Sequence, residues 1–301
     1  FKDTRQYFGQ RMKDIAELGV NLLGGCCGTN PSYIEAVEKT VDFRQTAVRH
    51  IPEASPVILK KAAVTNPLLQ KMQSGQKVNA VELDPPYDAN TDRIMEYANS
   101  LKTAPVDIIT FADSPMGRGR VDSILMGAKV LHETGLPVMP HIACRDKNAI
   151  ALRAGLLGAY VNGIRNFLVV TGDPVAGGDR GDITGVFDFN SITLMQFLKE
   201  MNQEHFREEP ICYGGALNQG RKNLDAEIRR MGKKIEAGTS YFLTQPIFSI
   251  EETERIRQIK KELNTRILCG IMPLVSYRNA CFIRNEVTGI QVPEQVVRSF
   301  D

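Results

Sequence analysis

Two carboxylates stand close together in the segment VELDPP, residues 81–86. Residues two apart in a strand share a face, so Glu82 and Asp84 point to one side, and the two prolines then end the strand. A carboxyl group desolvated at such a position has a raised pKa and can serve as a general acid near neutral pH. The alternative is a carboxylate paired with a neighbouring Lys or Arg. The spacing leaves both open.

A third carboxylate, Asp173, follows the apolar run NFLVV in the turn Thr171-Gly172-Asp173-Pro174, with no basic residue beside it in sequence. It either acts on a ligand or caps the turn. His141, near the end of the run MPHIACRD, is either a catalyst or a structural hydrogen-bonding partner. Gln245, in FLTQPIF, offers an amide to a planar heterocycle or caps a loop. Tyr277 is predicted in the loop after the last strand, where its ring stacks on a ligand or packs locally.

Adjacent cysteines, Cys26 and Cys27, lie in the glycine-rich turn GGCCGT. Thiolates bind Zn²⁺, but a tetrahedral site needs further protein ligands, and no third cysteine stands nearby. An incomplete zinc site is therefore expected rather than a working one.

Composition sets broad limits on the function. The chain has 301 residues, of which 43% are hydrophobic and 24% charged, as in a globular protein with a sizeable core. A net charge of +2 gives no reason to expect nucleic acid as a partner. No apolar run approaches the roughly 20 residues of a membrane helix, and the first residues do not have a signal-peptide pattern. Six cysteines without the density of a disulfide scaffold indicate a reducing compartment, so we predict a cytoplasmic location.

Apolar runs alternate with amphipathic stretches from about residue 77 onward. The predicted strands are Val78–Leu83, Val106–Phe111, Leu136–Ile142, Asn166–Val170, Ile211–Gly214, Tyr241–Thr244 and Ile267–Met272. The predicted helices between them are Arg93–Lys102, Asp122–Glu133, Ala149–Gly158, Ser191–Asn202, Leu224–Ala237 and Ile250–Leu263. The repeat of about 30 residues is the size of one strand-helix-strand unit, which implies a parallel sheet.

A (β/α)8 TIM barrel fits this rhythm, because nearly every predicted strand ends in polar residues. No Gly-x-Gly-x-x-Gly turn supports an open doubly wound sheet. Seven strands can be counted. The eighth is either missing or supplied by the N-terminal segment GVNLLGGCC, in cis or by swapping between two chains, so a homo-oligomer or swapped dimer is a further possibility.

The first 45 residues have a different pattern: a helix, a strand that runs into the turn GGCCGT, and a second helix. They are the end of another α/β domain and are too short to bury a core alone. Residues 46–66 contain two prolines and no clean period, which is typical of a linker. The predicted domains are therefore the end of another α/β domain at 1–45, a linker at 46–66 and the main barrel at 67–301.

Six motifs occur in order and at barrel spacing: VELDPP, DIITFADSP, PHIACRD, LVVTGDP, FLTQPIF and GIMPL. Together they resemble the 5,10-methylenetetrahydrofolate reductase family over about residues 67–301. The segment GVNLLGGCCGTNPSYIEAV is similar to the end of the homocysteine S-methyltransferase family, in which adjacent cysteines bind zinc. The chain thus resembles a bifunctional protein of which only the C-terminal end of the methyltransferase domain is present. Zinc would belong only to the full-length parent.

The resemblance implies FAD-dependent reduction of 5,10-methylenetetrahydrofolate to 5-methyltetrahydrofolate by NADH or NADPH. Folate and a nicotinamide dinucleotide are thus the implied partners, with no nucleic acid and no membrane. Glu82 matches the acid that protonates the substrate and opens its five-membered ring. Gln245 matches a folate-contacting glutamine, and Tyr277 an aromatic that packs on substrate or nicotinamide. The positions matching FAD contacts are Thr110, His141, Thr171, Gly172, Asp173, Asn218, Glu227, Lys233 and Lys234.

Three positions depart from the family pattern. Thr171 stands where many members have Arg, Asn218 replaces a common His, and Glu227 a common Asp. These departures bear on the strength of flavin binding more than on the chemistry. Asp173 beside the flavin would destabilise the reduced anion, since two unit charges about 4 Å apart interact by about 4 kcal/mol at an effective dielectric near 20. It would also favour the cationic iminium formed as the folate ring opens.

Two alternatives belong to other classes of protein. A truncated module could bind flavin or folate without turnover, because a missing strand would leave two barrel edges open. A zinc-thiolate homocysteine methyltransferase, in the full-length parent, would require stoichiometric zinc.

Overall fold

The computed structural model describes residues 4–18, 20, 22–25, 28–44, 66–174, 184–287 and 289–300. The chain divides into two compact units, residues 1–62 and 63–301. Cys26 and Cys27 lie outside the described residues, as does the predicted linker at 46–66 apart from residue 66.

The first unit contains two packed helices, α1 (Thr4–Glu17) and α2 (Pro31–Thr40). They approach closely at Gly9, where a Cβ would lie 2.8 Å from the Ala36 carbonyl oxygen. The strand predicted between them is wrong for the described residues 20 and 22–25, which carry no strand, and Leu22 is 91% exposed. A strand needs a hydrogen-bonded neighbour, and the described part of this unit supplies none.

The second unit is built on a seven-stranded parallel sheet in which the strands follow one another in chain order. The strands are β1 (Ala80–Leu83), β2 (Ile108–Phe111), β3 (Val138–Ala143), β4 (Asn166–Val170), β5 (Cys212–Leu217), β6 (Tyr241–Pro246) and β7 (Ile267–Gly270). This order, with a helix in each connection, is the TIM-barrel-like α/β fold that the alternation predicts. The described residues contain no eighth strand, so β1 and β7 are the outer strands.

Nine helices are described in this unit. They are α3 (Pro67–Gln73), α4 (Asp92–Leu101), α5 (Ser123–Thr134), α6 (Ala149–Val161), α7 (Ser191–Glu204), α8 (Leu224–Glu236), α9 (Ile250–Leu263), α10 (Tyr277–Glu286) and α11 (Glu294–Arg298). Several begin at an Asn, Asp or Ser whose side chain accepts backbone N–H groups of the first turn, as Asn190 does at α7. These caps fix where those helices start. Nowhere in the described parts of the chain is a helix both long and apolar enough to span a membrane.

The core has two layers. One face of the strands packs on α5, α6 and α7, through buried residues such as Phe111 and Phe167. The interior face carries Met139, Leu168 and Tyr241, and helix α3 packs on it through Leu68. The Tyr241 hydroxyl is satisfied there, because it donates to the Phe167 carbonyl at 2.8 Å.

Truncating the apolar contact of α3 should destabilise this unit. Leu68 is only 4% exposed, so we expect Leu68→Ala to lower the free energy of unfolding by about 2–5 kcal/mol in urea titrations. Ile150→Ala is the matched control, because Ile150 is 80% exposed and should change stability by less than about 0.5 kcal/mol. Equal effects of the two variants would contradict a packing role for Leu68.

Candidate active site

Three of the predicted site residues meet at the carboxyl ends of adjacent strands. Glu82 on β1 is paired in register with Thr110 on β2, whose hydroxyl donates to Glu82 Oε2 at 3.4 Å. His141 Nε2, on β3, lies 3.7 Å from the same oxygen. His141 is buried, and its Nε2 has no hydrogen-bond partner within the described structure. The strand ends therefore present a carboxylate next to an unsatisfied imidazole nitrogen.

The two carboxylates of VELDPP differ in their surroundings. Asp84 lies 3.5 Å from Arg120 Nη2 and its side chain is 55% exposed, so it is the paired surface carboxylate that the sequence left open as an alternative. The Glu82 side chain faces Thr110 and His141 but is 51% exposed. The desolvation expected of a general acid is thus not supplied by the protein alone and would have to come from a bound ligand.

The turn after β4 directs Asp173 across to another loop. Gly172 has a φ of 90°, and a Cβ there would lie 3.1 Å from the Ala143 Cβ, so the tight turn requires glycine. Asp173 Oδ2 accepts the Met116 N–H at 2.8 Å, which joins this turn to the loop after β2. Arg145 Nη1 donates to the Asp173 carbonyl at 3.1 Å. A guanidinium therefore lies beside Asp173 in space, although no basic residue neighbours it in sequence.

A second cluster gathers basic side chains around the end of β5. Lys234, on α8, is buried and donates to the Ala216 carbonyl at 2.6 Å. Burial, and then repulsion from Arg230, lowers the pKa of Lys234 to about 8, although Glu227 opposes this shift. A cavity of about 120 Å³ lies here, lined in part by Lys234, Arg221 and Arg230 together with Thr171 at the end of β4.

One buried polar group without a partner in the described structure, the Ser191 hydroxyl, points to a ligand in this basic cluster. Glu227 is buried; its Oε1 accepts the Asn218 N–H at 3.1 Å, while Oε2 lies 3.4 Å from Arg221 Nε without a hydrogen bond. The buried Ser191 hydroxyl, in the first turn of α7, also has no hydrogen-bond partner among the described residues. Three cations and a helix N-terminus are a suitable environment for phosphate.

The remaining predicted residues are placed less closely together. Gln245, at the end of β6, lines the same cavity, and its backbone N–H donates to Gln219 Oε1 at 3.1 Å. Lys233 is exposed on α8. Tyr277 is not in a loop, as the sequence predicted, but begins α10. The reason is the Ser276 side chain, which caps that helix by accepting the Asn279 N–H at 3.2 Å.

Four residues of the candidate site were not singled out from the sequence. Ser191, Arg221, Arg230 and Arg145 were not predicted as ligand-binding or positioning groups. The spacing of Arg230 and Lys234, four residues apart in the helical stretch RRMGKK, was the one available signal. Arg145 pairs with its neighbour Asp146, but the two loop carbonyls that it contacts, those of Ser114 and Asp173, are distant in sequence and gave no signal. No group of three or more His, Cys, Asp or Glu residues suited to a metal occurs in the described ranges, from which Cys26 and Cys27 are absent.

Parallel strands in chain order, with polar side chains collected at their carboxyl ends, define a TIM-barrel-like α/β protein with a strand-end site. Residues 68–301 match the family model described as methylenetetrahydrofolate reductase, and residues 1–41 match that of homocysteine S-methyltransferase. The chain belongs to the methylenetetrahydrofolate reductase family.

Curated relatives carry the same family name. The 5,10-methylenetetrahydrofolate reductase of Escherichia coli K12 is 26% identical over 233 residues, which cover 75% of this chain and 74% of that protein. The enzyme of the same name from Salmonella typhimurium is 25% identical over 233 residues, with the same shares of 75% and 74%. That of Pectobacterium carotovorum is 27% identical over 206 residues, covering 67% of this chain and 64% of the relative.

Proposed function

We propose that this chain reduces 5,10-methylenetetrahydrofolate to 5-methyltetrahydrofolate with FAD as its cofactor and NADH or NADPH as electron donor. The observation that carries the proposal is the meeting of Glu82, Thr110 and His141 on three adjacent strand ends. The names of the curated relatives support the same reaction. We expect the protein to be cytoplasmic and its partners to be small molecules, without nucleic acid or membrane.

The residues fit a flavin dinucleotide in two respects. The unsatisfied His141 Nε2 and the Asp173 turn offer polar contacts to a planar ring system, while Lys234, Arg230 and the unpartnered Ser191 hydroxyl suit phosphates. Thr171, Asn218 and Glu227 line the cavity beside these cations. A flavin bound here would take a hydride from the nicotinamide and pass it to the folate.

Residues of this chain would supply the proton for ring opening and stabilise the positive charge that develops on the substrate. Glu82 would hold a proton for a nitrogen of the substrate's five-membered ring, with Thr110 fixing the orientation of the carboxyl group. Substrate lying over Glu82 would remove the water that now reaches it. The Asp173 carboxylate would stabilise the positive charge that develops on the folate as the ring opens. Gln245 and Tyr277 remain the proposed substrate contacts.

The visible spectrum of the purified protein tests this proposal directly. Bound flavin absorbs near about 450 nm and bleaches when a competent enzyme meets its reductant. We expect bleaching by NADH or NADPH, followed by reoxidation on addition of methylenetetrahydrofolate, and separate titrations of the two nicotinamides identify the donor. If neither nicotinamide bleaches the bound flavin, the result would favour a binding module without turnover. The reason to consider that alternative is that the described residues contain no eighth strand. Stoichiometric zinc by metal analysis would instead favour a methyltransferase role.

The low pKa of Lys234 predicts a pH dependence of cofactor binding. Lys234 is protonated below its pKa of about 8, and a phosphate favours the protonated form. Affinity for FAD should therefore be constant near pH 7 and fall as the pH rises above about 8, by up to about tenfold per unit. Fluorescence titrations of FAD from about pH 6.5 to about pH 9.5, which brackets the pKa of Lys234, measure this dependence. Lys234→Gln should bind weakly and without this slope, whereas Arg229→Gln, an exposed charge on the same helix, should keep it. A slope that survives in Lys234→Gln would contradict the assignment.

A further inference from the structure

Arg145 is a buried cation to which the proposed reaction assigns no role. It lies two residues beyond the end of β3, and it is only 2% exposed. Its Nε and Nη2 donate to the two carboxylate oxygens of Asp146 at 2.8 and 2.6 Å. The other hydrogen bonds of the guanidinium run to two backbone carbonyls, Nη1 to Asp173 at 3.1 Å and Nη2 to Ser114 at 3.0 Å.

Those two carbonyls belong to the loops that follow β4 and β2. The same loops are joined by one further hydrogen bond, from the Met116 N–H to Asp173 Oδ2 at 2.8 Å. Arg145 thus contacts the backbone of Ser114, two residues before the donor Met116, and also the backbone of the acceptor Asp173. Arg145 therefore restrains both loops that form the hydrogen bond between the Met116 N–H and the Asp173 carboxylate.

The loop after β2 needs such a restraint. Ser114 and Met116 have φ angles of 45° and 57°, in the left-handed region that is unfavourable for residues other than glycine. Asp113 Oδ2 accepts the Ala143 N–H at 3.0 Å and ties the loop to β3. The guanidinium of Arg145 then holds it at Ser114. Without the second tie, the loop can relax and turn the Met116 N–H away from Asp173.

We propose that Arg145 is a positioning residue for Asp173, setting the direction of that carboxylate toward the proposed flavin site by bridging the loops after β2 and β4. The expected effect on the flavin rests on the proposed function, whereas the effect of Arg145 on the direction of Asp173 does not depend on it. Position matters here more than charge, because only the planar guanidinium reaches Asp146 and both carbonyls at once. Lysine carries the same charge without that fork.

Amide hydrogen exchange tests the geometry without any cofactor. In Arg145→Met and in Arg145→Lys, we expect the Met116 amide to exchange about tenfold faster, the loss of one hydrogen bond. Asp173→Ala, which deletes the acceptor, should show the same increase, and adding Arg145→Met to it should add nothing. The Asn264 amide, which closes α9, reports general destabilisation and should be unchanged. Unchanged exchange at Met116, or wild-type behaviour of Arg145→Lys, would overturn the proposal.

The flavin midpoint potential tests the consequence. Arg145→Lys, which keeps the positive charge, should raise the potential in the wild-type background, because a misdirected carboxylate destabilises reduced flavin less, and should leave it unchanged in the Asp173→Ala background. A shift of the same size in both backgrounds would mean that Arg145 does not act through Asp173, which overturns the positioning role. If the protein binds no flavin, the proposed function fails, and the exchange rates still decide whether Arg145 positions Asp173. If Arg145→Met does not fold, Arg145→Lys provides both measurements.

Discussion

Replacing Glu82 by Gln is expected to slow reduction of methylenetetrahydrofolate severely while the nicotinamide still reduces the flavin at the wild-type rate. Glutamine keeps the size of the side chain and can still accept the Thr110 hydroxyl, but it has no acidic proton to give. General acid catalysis contributes about 10²–10⁴-fold, so folate reduction should fall by that factor. Hydride transfer from the nicotinamide to the flavin requires no proton from Glu82. Stopped-flow absorbance of the two half-reactions measures each rate separately.

Asp84→Asn is the matched control for this variant. Asp84 is the other carboxylate of the same segment, but it is paired with Arg120 at the surface, so both half-reactions should stay near the wild-type rates. Survival of both half-reactions in Glu82→Gln would show that the proton comes from another group. Loss of both would assign Glu82 to cofactor binding instead.

The strands could be predicted because the fold repeats one local pattern. Asn166–Val170 has the predicted bounds, and the other strands differ at their ends. The largest extension is at β5, which the sequence ended at Gly214 and which continues to Leu217. Gly214 lies inside the strand for a packing reason, because a Cβ there would lie 2.1 Å from the Tyr241 ring. A contact between residues on different strands leaves no local trace in the sequence.

The candidate site was only partly predictable for the same reason. Glu82 and His141 could be singled out because polar residues that end apolar runs must collect at one edge of a parallel sheet. Asp84 is paired because Arg120, 36 residues further along the chain, lies next to it. The spacing of residues along one strand cannot reveal such a contact. The roles of Arg145 and Ser191 depend on burial and on partners in other loops. Local patterns thus locate the edge of the sheet, but long-range contacts decide which groups there are satisfied.

Asp173→Asn is expected to raise the midpoint potential of bound flavin. The carboxylate repels the negative charge of the reduced cofactor, and removing it relieves that repulsion at almost constant shape. Asp173 is exposed, accepts the Met116 N–H and lies beside Arg145, so its effect should be well below the bare interaction of about 4 kcal/mol. A shift of about 30 mV, equivalent to about 1.4 kcal/mol for a two-electron couple, is the expected size.

The consequence for turnover has opposite signs in the two half-reactions. A higher potential makes the flavin a better acceptor from the nicotinamide and a weaker donor to the folate, so Asp173→Asn should speed the first step relative to the second. Equilibration of the flavin with a reference dye gives the potential, and Asp84→Asn, which removes a charge held by Arg120 at the same edge, should shift it less. An unchanged or lower potential in Asp173→Asn would mean that this carboxylate serves only the loop contact with Met116, and the electrostatic role would be wrong.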